Sequence, residues 1–403
     1  MEIFVARQPV FSGKKQVFGY ELLFRNSLEN MFPDIDGNKA TSTVLSNTFF
    51  TFGLHEILAG KPGLINFTRE LILQKTPLLF PKEHIIIEVL EDIEPDPEVI
   101  ESLRELKQQG FRIALDDFVY DPKFETMISL CSMIKFDIIA TPLETLEPII
   151  AQIKAHHHLT LLAEKVETYQ EFELAKEMGF GLFQGYFFAK PEILSKKGIS
   201  SNQISKMKLI NEVGQKNINL VRVEELIKND LSVSFKLLKF INSAYFSRPT
   251  AIDTIKDAMT FIGIDELKKF IHVVVISDLG ENKPNELIRV SMIRARMCEQ
   301  CGGMLKTHFT TDELFTIGLF SAMDAILDSS MADILINITF SDKIKNALLG
   351  KDKQYRQLHT LVTSFEKGQW DQELFTLMEG KKLIEKLPQF YRDALQMADS
   401  FLK

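Results

Sequence analysis

The sequence predicts a parallel α/β barrel of the TIM type followed by an all-α domain. Strand-like and helix-like segments alternate from about Leu64 to Pro191, which is the pattern of parallel strands joined by helices. Roughly eight strands in one domain is the number that closes such a barrel. Beyond Ser205 the alternation stops and apolar residues recur at helical spacing. We expect a barrel domain at 1–195, a linker at 196–205 and a helical domain at 206–403.

The chain opens with two apolar runs around a polar turn. Residues 3–11 and 17–25 are strand-like, and Gly13, Lys14 and Lys15 lie between them. This order predicts a β-hairpin. Apolar residues at helical spacing then predict a helix over 38–58, which the Gly-Lys-Pro-Gly sequence at 60–63 ends.

The remaining elements of the barrel follow in strict alternation. Strands are expected at 64–68, 84–91, 112–118, 133–139, 159–167 and 182–188. Helices are expected at 69–73, 95–109, 124–130, 143–157 and 169–178. The strand at 112–118 carries two adjacent carboxylates, Asp116 and Asp117. Such a pair is costly unless a cation compensates it, and carboxylate oxygens suit Mg²⁺, Mn²⁺ and Ca²⁺.

Almost every predicted strand ends in a polar residue. These residues are Glu21, Asn66, Glu88, Glu91, Asp116, Asp117, Lys135, Asp137, Glu164 and Gln184. Catalytic groups of TIM barrels lie at the carboxyl ends of the strands. A single such residue could be a stray charge on an edge strand, but a polar group at nearly every strand end predicts a functional site at this rim.

The second half of the chain has helical periodicity only. Leu231, Phe235, Leu238 and Ile241 share one spacing, and similar stretches continue to the C-terminus. The polar segment before them, with Ser, Lys, Gly and Asn, has the composition of a linker. This half is therefore predicted to be all-α.

Composition excludes several functional classes. A net charge of -8 argues against a nucleic-acid binder that works through a broad basic face. Only 3 cysteines are present, which offers no disulfide framework and suits a reducing cytoplasm. No apolar run approaches the roughly 20 residues of a membrane span, and the first residues lack a signal-peptide layout. We expect a cytoplasmic protein with no membrane partner.

The strand-end residues also spell a known set of motifs. Residues 21–25, Glu-Leu-Leu-Phe-Arg, resemble the Glu-Ala-Leu-x-Arg motif of EAL domains, the cyclic di-GMP phosphodiesterases. The family's other motifs follow in order: Asn66 in Asn-Phe-Thr, Glu88 and Glu91 in Glu-Val-Leu-Glu, Asp116 and Asp117 in Asp-Asp-Phe, Lys135 and Asp137 in Lys-Phe-Asp, Glu164 in Ala-Glu-Lys-Val-Glu, and Gln184 in Gln-Gly-Tyr-Phe-Phe-Ala-Lys-Pro. The resemblance spans residues 1–191.

The resemblance implies a role for each residue. Glu21, Asn66, Glu88 and Asp116 would hold one Mg²⁺ or Mn²⁺, and Asp116 with Asp117 a second. Lys135 and Glu164 would position or deprotonate the attacking water, and Glu91 would brace the loop after the Asp pair. Leu23, Arg25, Asp137 and Gln184 would lie at the bound cyclic di-GMP, with Arg25 on phosphate.

The helical half resembles the HDOD module. The residues that carry this resemblance are Asp230, Leu231, Ser232, Asn242, Ser243, Ala244, Ile255, Ala258, Ile262, Gly263, Gly318, Leu319 and Phe320. Metal-dependent relatives of that module have a His-Asp pair where this chain has Ser321 and Ala322. The resemblance therefore implies a non-enzymatic domain that transmits a signal to a protein partner. Barrels of this family also pair, which implies a homodimer.

Three departures from the EAL pattern bear on activity. The loop at 118–123 has Val119 and Pro122 where the family is rich in Gly and hydroxyl residues, and Val disfavours a positive φ. Lys165 replaces a Gly beside Glu164, and Leu22 replaces the Ala of the name motif. We expect weak or absent hydrolysis with output through the HDOD domain. The alternative is a non-catalytic cyclic di-GMP receptor or a protein-interaction scaffold.

Overall fold

A computed structural model describes most of the chain. It describes residues 4–25, 57–153, 158–189, 201–215, 217–242, 252–280, 283–305, 307–368 and 381–402. The chain forms two compact units, one of residues 1–188 with 364–373 and one of 189–363 with 374–403. The predicted boundaries at 195 and 206 stay predictions, since 190–200 lies outside the described residues. Among the residues searched, no helix has both the length and the apolarity to cross a bilayer.

Eight strands close a barrel in chain order. They are β1 Phe4–Ser12, β2 Val17–Arg25, β3 Gly63–Phe67, β4 Ile85–Val89, β5 Arg112–Leu115, β6 Met133–Asp137, β7 Thr160–Glu164 and β8 Leu182–Gln184. The predicted barrel and its opening hairpin are confirmed. β1 is antiparallel to both β2 and β8, and the other pairs are parallel. A tight turn can join β1 only to an antiparallel neighbour, which explains this one inversion.

Helices cross between the parallel strands of the barrel. They are α1 Arg69–Leu73, α2 Pro97–Gln108, α3 Glu125–Leu130, α4 Leu143–Ile153 and α5 Tyr169–Met178. Asp96 caps α2 by accepting from Val99 N, and Thr168 and Glu171 form a capping box on α5. The helix predicted over 38–58 lies almost entirely outside the described residues.

An apolar layer fills the barrel interior beneath the predicted site. Seven strands each supply one buried side chain to it: Val10, Leu64, Ile86, Ala114, Met133, Leu162 and Leu182. Side chains two positions apart on a strand face the same side. In each parallel strand, the residue two positions beyond the layer is therefore the next to point inward, at the carboxyl rim.

The second unit is helical in its described part. Its helices are α6 Ser201–Val213, α7 Leu220–Lys228, α8 Leu231–Ile241, α9 Ile255–Ile262, α10 Ile264–Leu279, α11 Asn285–Met304, α12 Thr311–Phe320, α13 Met323–Leu327, α14 Met331–Ile336, α15 Asp342–Leu348, α16 Lys353–Glu366 and α17 Lys381–Leu402. The end of α16 falls in the barrel unit.

Residues that carried the HDOD resemblance hold this unit together. Asp230 caps α8 by accepting from Val233 N and also pairs with Lys206 at 2.6 Å. The Asn242 amide exchanges two hydrogen bonds with the backbone of Ile252, each 2.8 Å long. These contacts give a structural role to two of the polar residues that carry the resemblance.

A buried histidine predicts how this unit responds to acid. The His272 ring is buried, its Nε2 has no hydrogen-bond partner, and burial lowers its pKa to about 4. The unfolded chain takes up the proton near the ordinary pKa of about 6.5. The free energy of unfolding should therefore fall as pH drops from about 6.5 to about 4, by about 3 kcal/mol.

Urea unfolding of the wild type and of His272→Phe at about pH 7 and about pH 4.5 measures this contribution. The phenyl ring would lie beside Phe320, whose centroid is 5.4 Å from that of His272. The variant should lose about 2 kcal/mol less than the wild type between the two pH values. Equal losses in both proteins would show that His272 is not the titrating group.

Candidate metal centre and active site

The barrel geometry brings most of the predicted residues to one rim. Asn66, Glu88, Asp116, Lys135, Glu164 and Gln184 each lie two positions beyond a residue of the apolar layer. Asp116 comes just after β5, and its N–H continues the sheet by donating to Val89 O at 3.0 Å. The strand period therefore turns their side chains into the same space above the apolar layer.

Lys135 stands at the centre of four carboxylates. Its Nζ lies 2.5 Å from Glu164 Oε1, 2.6 Å from Glu88 Oε1 and 2.7 Å from Asp116 Oδ1. A fourth contact, to Glu21 Oε2, is 3.4 Å long and is the one with hydrogen-bond geometry. Only 1% of the Lys135 side chain is exposed, and Glu88 is completely buried. Four carboxylates thus share one ammonium in a largely buried space.

Burial and charge shift the pKa values in opposite directions here. Burial alone would lower the pKa of Lys135, but Glu164, Glu21, Glu88 and Asp116 together raise it well above its ordinary value. Burial raises the pKa of Glu88 and that of Glu164 well above the ordinary range, against the attraction of Lys135. The Lys135 ammonium therefore stays charged, and Glu88 and Glu164 hold protons more tightly than exposed carboxylates do.

Several buried oxygens at this rim accept no hydrogen bond, although three of them, Glu88 Oε1, Asp116 Oδ1 and Glu164 Oε1, ion-pair with Lys135. They are Asn66 Oδ1, Glu88 Oε1 and Oε2, Asp116 Oδ1, Asp117 Oδ1, Glu164 Oε1 and Gln184 Oε1. Asp116, Asp117 and Glu164 each offer one oxygen, and these oxygens all lie within 4.8 Å of one another. Carboxylate and amide oxygens are the donors that Mg²⁺ and Mn²⁺ prefer. The residues present therefore fit a divalent-cation site. Glu164, for which the resemblance implied a role at the attacking water, also offers an oxygen to this site.

Glu21 is held by two amide side chains. Gln184 Nε2 donates to Glu21 Oε2 at 2.5 Å and to Gln8 Oε1 at 2.9 Å. Asn66 Nδ2 lies 3.5 Å from Glu21 Oε1. Both amides use nitrogen toward Glu21, so their oxygens are left for another partner.

Lys165 interacts with two further carboxylates, those of Asp137 and Asp117. Its Nζ donates to Asp137 Oδ2 and lies 3.9 Å from Asp117 Oδ2. The Asp137 carboxylate also accepts from the N–H groups of Ile139 and Ala140. Burial tends to raise the pKa of Asp137, but Lys165 and these two N–H groups lower it overall. A cation thus already faces Asp117, the carboxylate expected to bind a second metal.

The loop after the Asp pair is built differently from the sequence expectation. The left-handed residue is Asp117, the second member of the pair, with φ 39°, and Val119 in the loop is not in that region. The β-branched Val119 therefore meets no backbone conflict, and its side chain is exposed. Lys123 anchors the loop by donating to both oxygens of Glu94, at 2.9 and 2.8 Å.

The other predicted residues lie around this centre. Glu91 is exposed and lines a cavity of about 350 Å³ that Asp116, Asp117 and Tyr120 also border. Leu23 and Arg25 follow Glu21 on β2, and the Arg25 side chain lies outside the described ones. The bracing role predicted for Glu91 and the ligand contacts predicted for Leu23 and Arg25 stay predictions.

Sequence reasoning missed Gln8. It lies opposite Glu21 in the β1–β2 register, and it precedes Val10 of the apolar layer by two positions. Because β1 runs antiparallel, its rim residue comes before the layer in sequence instead of after it. The predicted hairpin carries this signal, because an antiparallel first strand places the residue before its layer position at the rim.

Comparisons with known proteins match each half of the chain to a domain family. Residues 50–191 match the family model of the EAL domain, and residues 204–343 match that of the HDOD domain. A standalone EAL protein of Vibrio cholerae O395, solved in its c-di-GMP-bound form, aligns with 48% of this chain and 93% of its own, at 24% identity and a TM-score of 0.38.

Two curated relatives match nearly the whole chain. The cyclic di-GMP phosphodiesterase CdgJ of Vibrio cholerae is 36% identical over 371 residues, which cover 91% of this chain and 85% of that protein. The uncharacterized protein YuxH of Bacillus subtilis is 36% identical over 379 residues, 92% of each chain. The chain therefore belongs to the family in which an EAL domain is followed by an HDOD domain.

Proposed function

We propose that the barrel binds cyclic di-GMP and hydrolyses it to the linear dinucleotide with Mg²⁺ or Mn²⁺. The observation that carries this proposal is the convergence of four carboxylates on Lys135 at one rim, with two amides on one of them, Glu21. The relative CdgJ, named a cyclic di-GMP phosphodiesterase, supports the choice of substrate. The three buried free cysteines suit the cytoplasmic location that we also propose.

The chain's own residues divide the remaining work. Bound divalent cations would lower the pKa of a water and offset charge on the departing oxygen. Glu21, Asn66, Glu88 and Asp116 would hold one cation, and Asp116, Asp117 and Glu164 offer oxygens for a second. Lys135 would stabilise negative charge on the phosphate, and Glu164, which ion-pairs with Lys135 at 2.5 Å, would take up the proton of the water.

The reaction that these groups would support is a simple hydrolysis. Water adds to one phosphorus, one P–O ester bond breaks, and the released ribose oxygen takes up a proton. The product is the linear dinucleotide, with one of the two phosphodiester bonds intact. We propose that the helical unit, as an HDOD domain, passes the ligand state of the barrel to a protein partner.

Product analysis tests the proposal directly. The purified chain is incubated with cyclic di-GMP and Mn²⁺, and the nucleotides are separated by chromatography. We expect linear dinucleotide from the wild type and none from Glu21→Ala. Binding of cyclic di-GMP without product would support a receptor, and no binding in the presence of Mn²⁺ would leave only a scaffold.

The position of Lys165 favours a second candidate function, that of a receptor that binds cyclic di-GMP without hydrolysing it efficiently. Its ammonium binds Asp137 and faces Asp117, where a second cation would compete with it. The backbone of Lys165 is also left-handed, with φ 58°, a conformation that Gly adopts without strain. A chain limited to one bound cation would hold the nucleotide but turn it over slowly.

Replacing Lys165 by Gly should therefore raise activity. We expect Lys165→Gly to bind Mn²⁺ more tightly and to hydrolyse cyclic di-GMP about 10-fold faster, because Asp117 loses a competing cation. Lys75→Gly is the matched control, since Lys75 also has φ 58° and an ion pair, 2.9 Å long, with Glu105. Unchanged Mn²⁺ affinity in Lys165→Gly, or an equal gain in Lys75→Gly, would contradict the competition.

A further inference from the structure

A short segment far along the chain reaches the barrel. Residues 365–368, here called the tether, complete α16 and the turn after it and belong to the barrel unit. Phe365 and Glu366 are buried, and Gly368 N donates to Phe365 O at 3.1 Å. The tether is therefore an ordered, packed part of the barrel unit, although more than 150 residues separate it from β8.

Three contacts fix the tether at the metal-site rim. Lys367 O accepts from Gln8 Nε2 at 2.8 Å, and Lys367 Nζ lies 4.7 Å from the centroid of the Tyr186 ring. Gly368 packs so closely on Leu23 that a Cβ on Gly368 would overlap Leu23 Cδ1. Its φ of +64° adds a second reason for Gly at this position.

The contact with Lys367 O starts an unbroken chain of hydrogen bonds that ends at the metal site. Gln8 donates to Lys367 O and accepts from Gln184, and the same Gln184 nitrogen donates to Glu21 Oε2. Only two side chains separate a backbone carbonyl of the tether from Glu21, a predicted metal ligand.

The chemistry of the amide group gives this series of hydrogen bonds a direction. An amide has donors on one side and an acceptor on the other. Donation to Lys367 O turns the Gln8 oxygen toward Gln184, which in turn points its own nitrogen at Glu21. Without Lys367 O, nothing in this hydrogen-bond chain prevents Gln8 from turning over, which would set two NH₂ groups against each other and release Glu21.

We propose that the tether positions Glu21 for divalent-cation binding through Gln8 and Gln184, a role that rests on the metal site of the proposed function. Lys367 acts here through its backbone carbonyl and Gly368 by allowing close approach, and neither touches the reacting atoms. Residues 353–363 of the same helix belong to the second unit. The tether is thus covalently continuous with the helical unit.

Mn²⁺ titration of the full-length chain by calorimetry, without nucleotide, tests the proposal. Gly368→Ala should displace the tether from Leu23 and weaken Mn²⁺ binding about 10-fold, in the range typical of lost support for a metal ligand. Gly350→Ala is the matched control, because Gly350 has φ +68° but no atom within 4 Å of its Cβ position. It should bind Mn²⁺ like the wild type.

A second variant and a second readout separate positioning from folding. Gln8→Met removes both hydrogen bonds of Gln8 while leaving the sequence of the tether and its packing on Leu23 in place. It should show a similar loss of Mn²⁺ affinity with an unchanged circular dichroism spectrum. Saturating Mn²⁺ should restore turnover in both Gly368→Ala and Gln8→Met, because only the affinity for the cation is altered.

Wild-type affinity in Gly368→Ala and Gln8→Met would overturn the proposal, as would an equal loss in Gly350→Ala. A wild-type chain that takes up no Mn²⁺ would overturn the proposed function and the positioning role together. Mn²⁺ binding without hydrolysis, combined with the 10-fold loss in Gly368→Ala, would support the positioning role and overturn hydrolysis alone.

Discussion

Lys135→Met should abolish hydrolysis and destabilise the metal-free barrel. The substitution leaves Glu88, Glu164, Asp116 and Glu21 without the cation that contacts all four. Removing one partner of a buried ion pair costs about 3–5 kcal/mol. We expect a loss of turnover of about 10²–10³-fold, of the size seen when a transition-state charge stabiliser is removed.

Added metal should distinguish this effect from ordinary core damage. Mn²⁺ supplies positive charge to the same carboxylates, so it should raise the melting temperature of Lys135→Met more than that of the wild type. Lys123→Met is the control, because Lys123 is an exposed lysine of the neighbouring loop whose ion pair is with Glu94, which lies outside this set of four carboxylates. If Lys135→Met melts at the same temperature as the wild type, both with and without Mn²⁺, the central role given to Lys135 is contradicted.

Glu88→Gln should remove most of the metal affinity while keeping the shape of the site. Glu88 is completely buried, and its Oε2 has no hydrogen-bond partner. A neutral amide at this position forfeits one charge and one oxygen, and we expect Mn²⁺ binding to weaken by more than about 100-fold. Glu94→Gln, on the loop beside the cavity, should bind Mn²⁺ like the wild type.

The pH dependence of Mn²⁺ binding checks the same carboxylate. Burial raises the pKa of Glu88, and a cation binds only its deprotonated form. Wild-type affinity should fall with decreasing pH, beginning above the ordinary carboxyl range of about 4–5. Calorimetry in buffers of different ionisation enthalpy should show fewer protons released by Glu88→Gln. Equal proton release by both proteins would assign the titration to another group.

The positions of the metal-site residues could be predicted because strand period and barrel closure act locally. A strand of alternating side chains that begins with a buried Leu64 must point Asn66 inward, and the same holds for Ile86 and Glu88. The alternation within each strand therefore identifies the residue that it places at the rim. The hairpin turn likewise predicts that the first two strands are antiparallel.

What could not be predicted depends on contacts between distant parts of the chain. The bond from Gln8 to Lys367 O spans 359 positions and ends on a backbone carbonyl, which every residue has. The pairing of Lys165 with Asp137 was equally open, since a lysine beside Glu164 could as well point into solvent. The left-handed backbone falls on Asp117 instead of the loop's Val119 because the chain turns directly at the Asp pair.

An anomalous difference map from crystals grown with Mn²⁺ tests the shared metal site most directly. We predict a peak within ligand distance, about 2.1–2.3 Å, of oxygens from Glu21, Asn66, Glu88 and Asp116. A map whose Mn²⁺ peaks lie away from these four side chains, or that has no peak at the barrel rim at saturating Mn²⁺, would contradict the account.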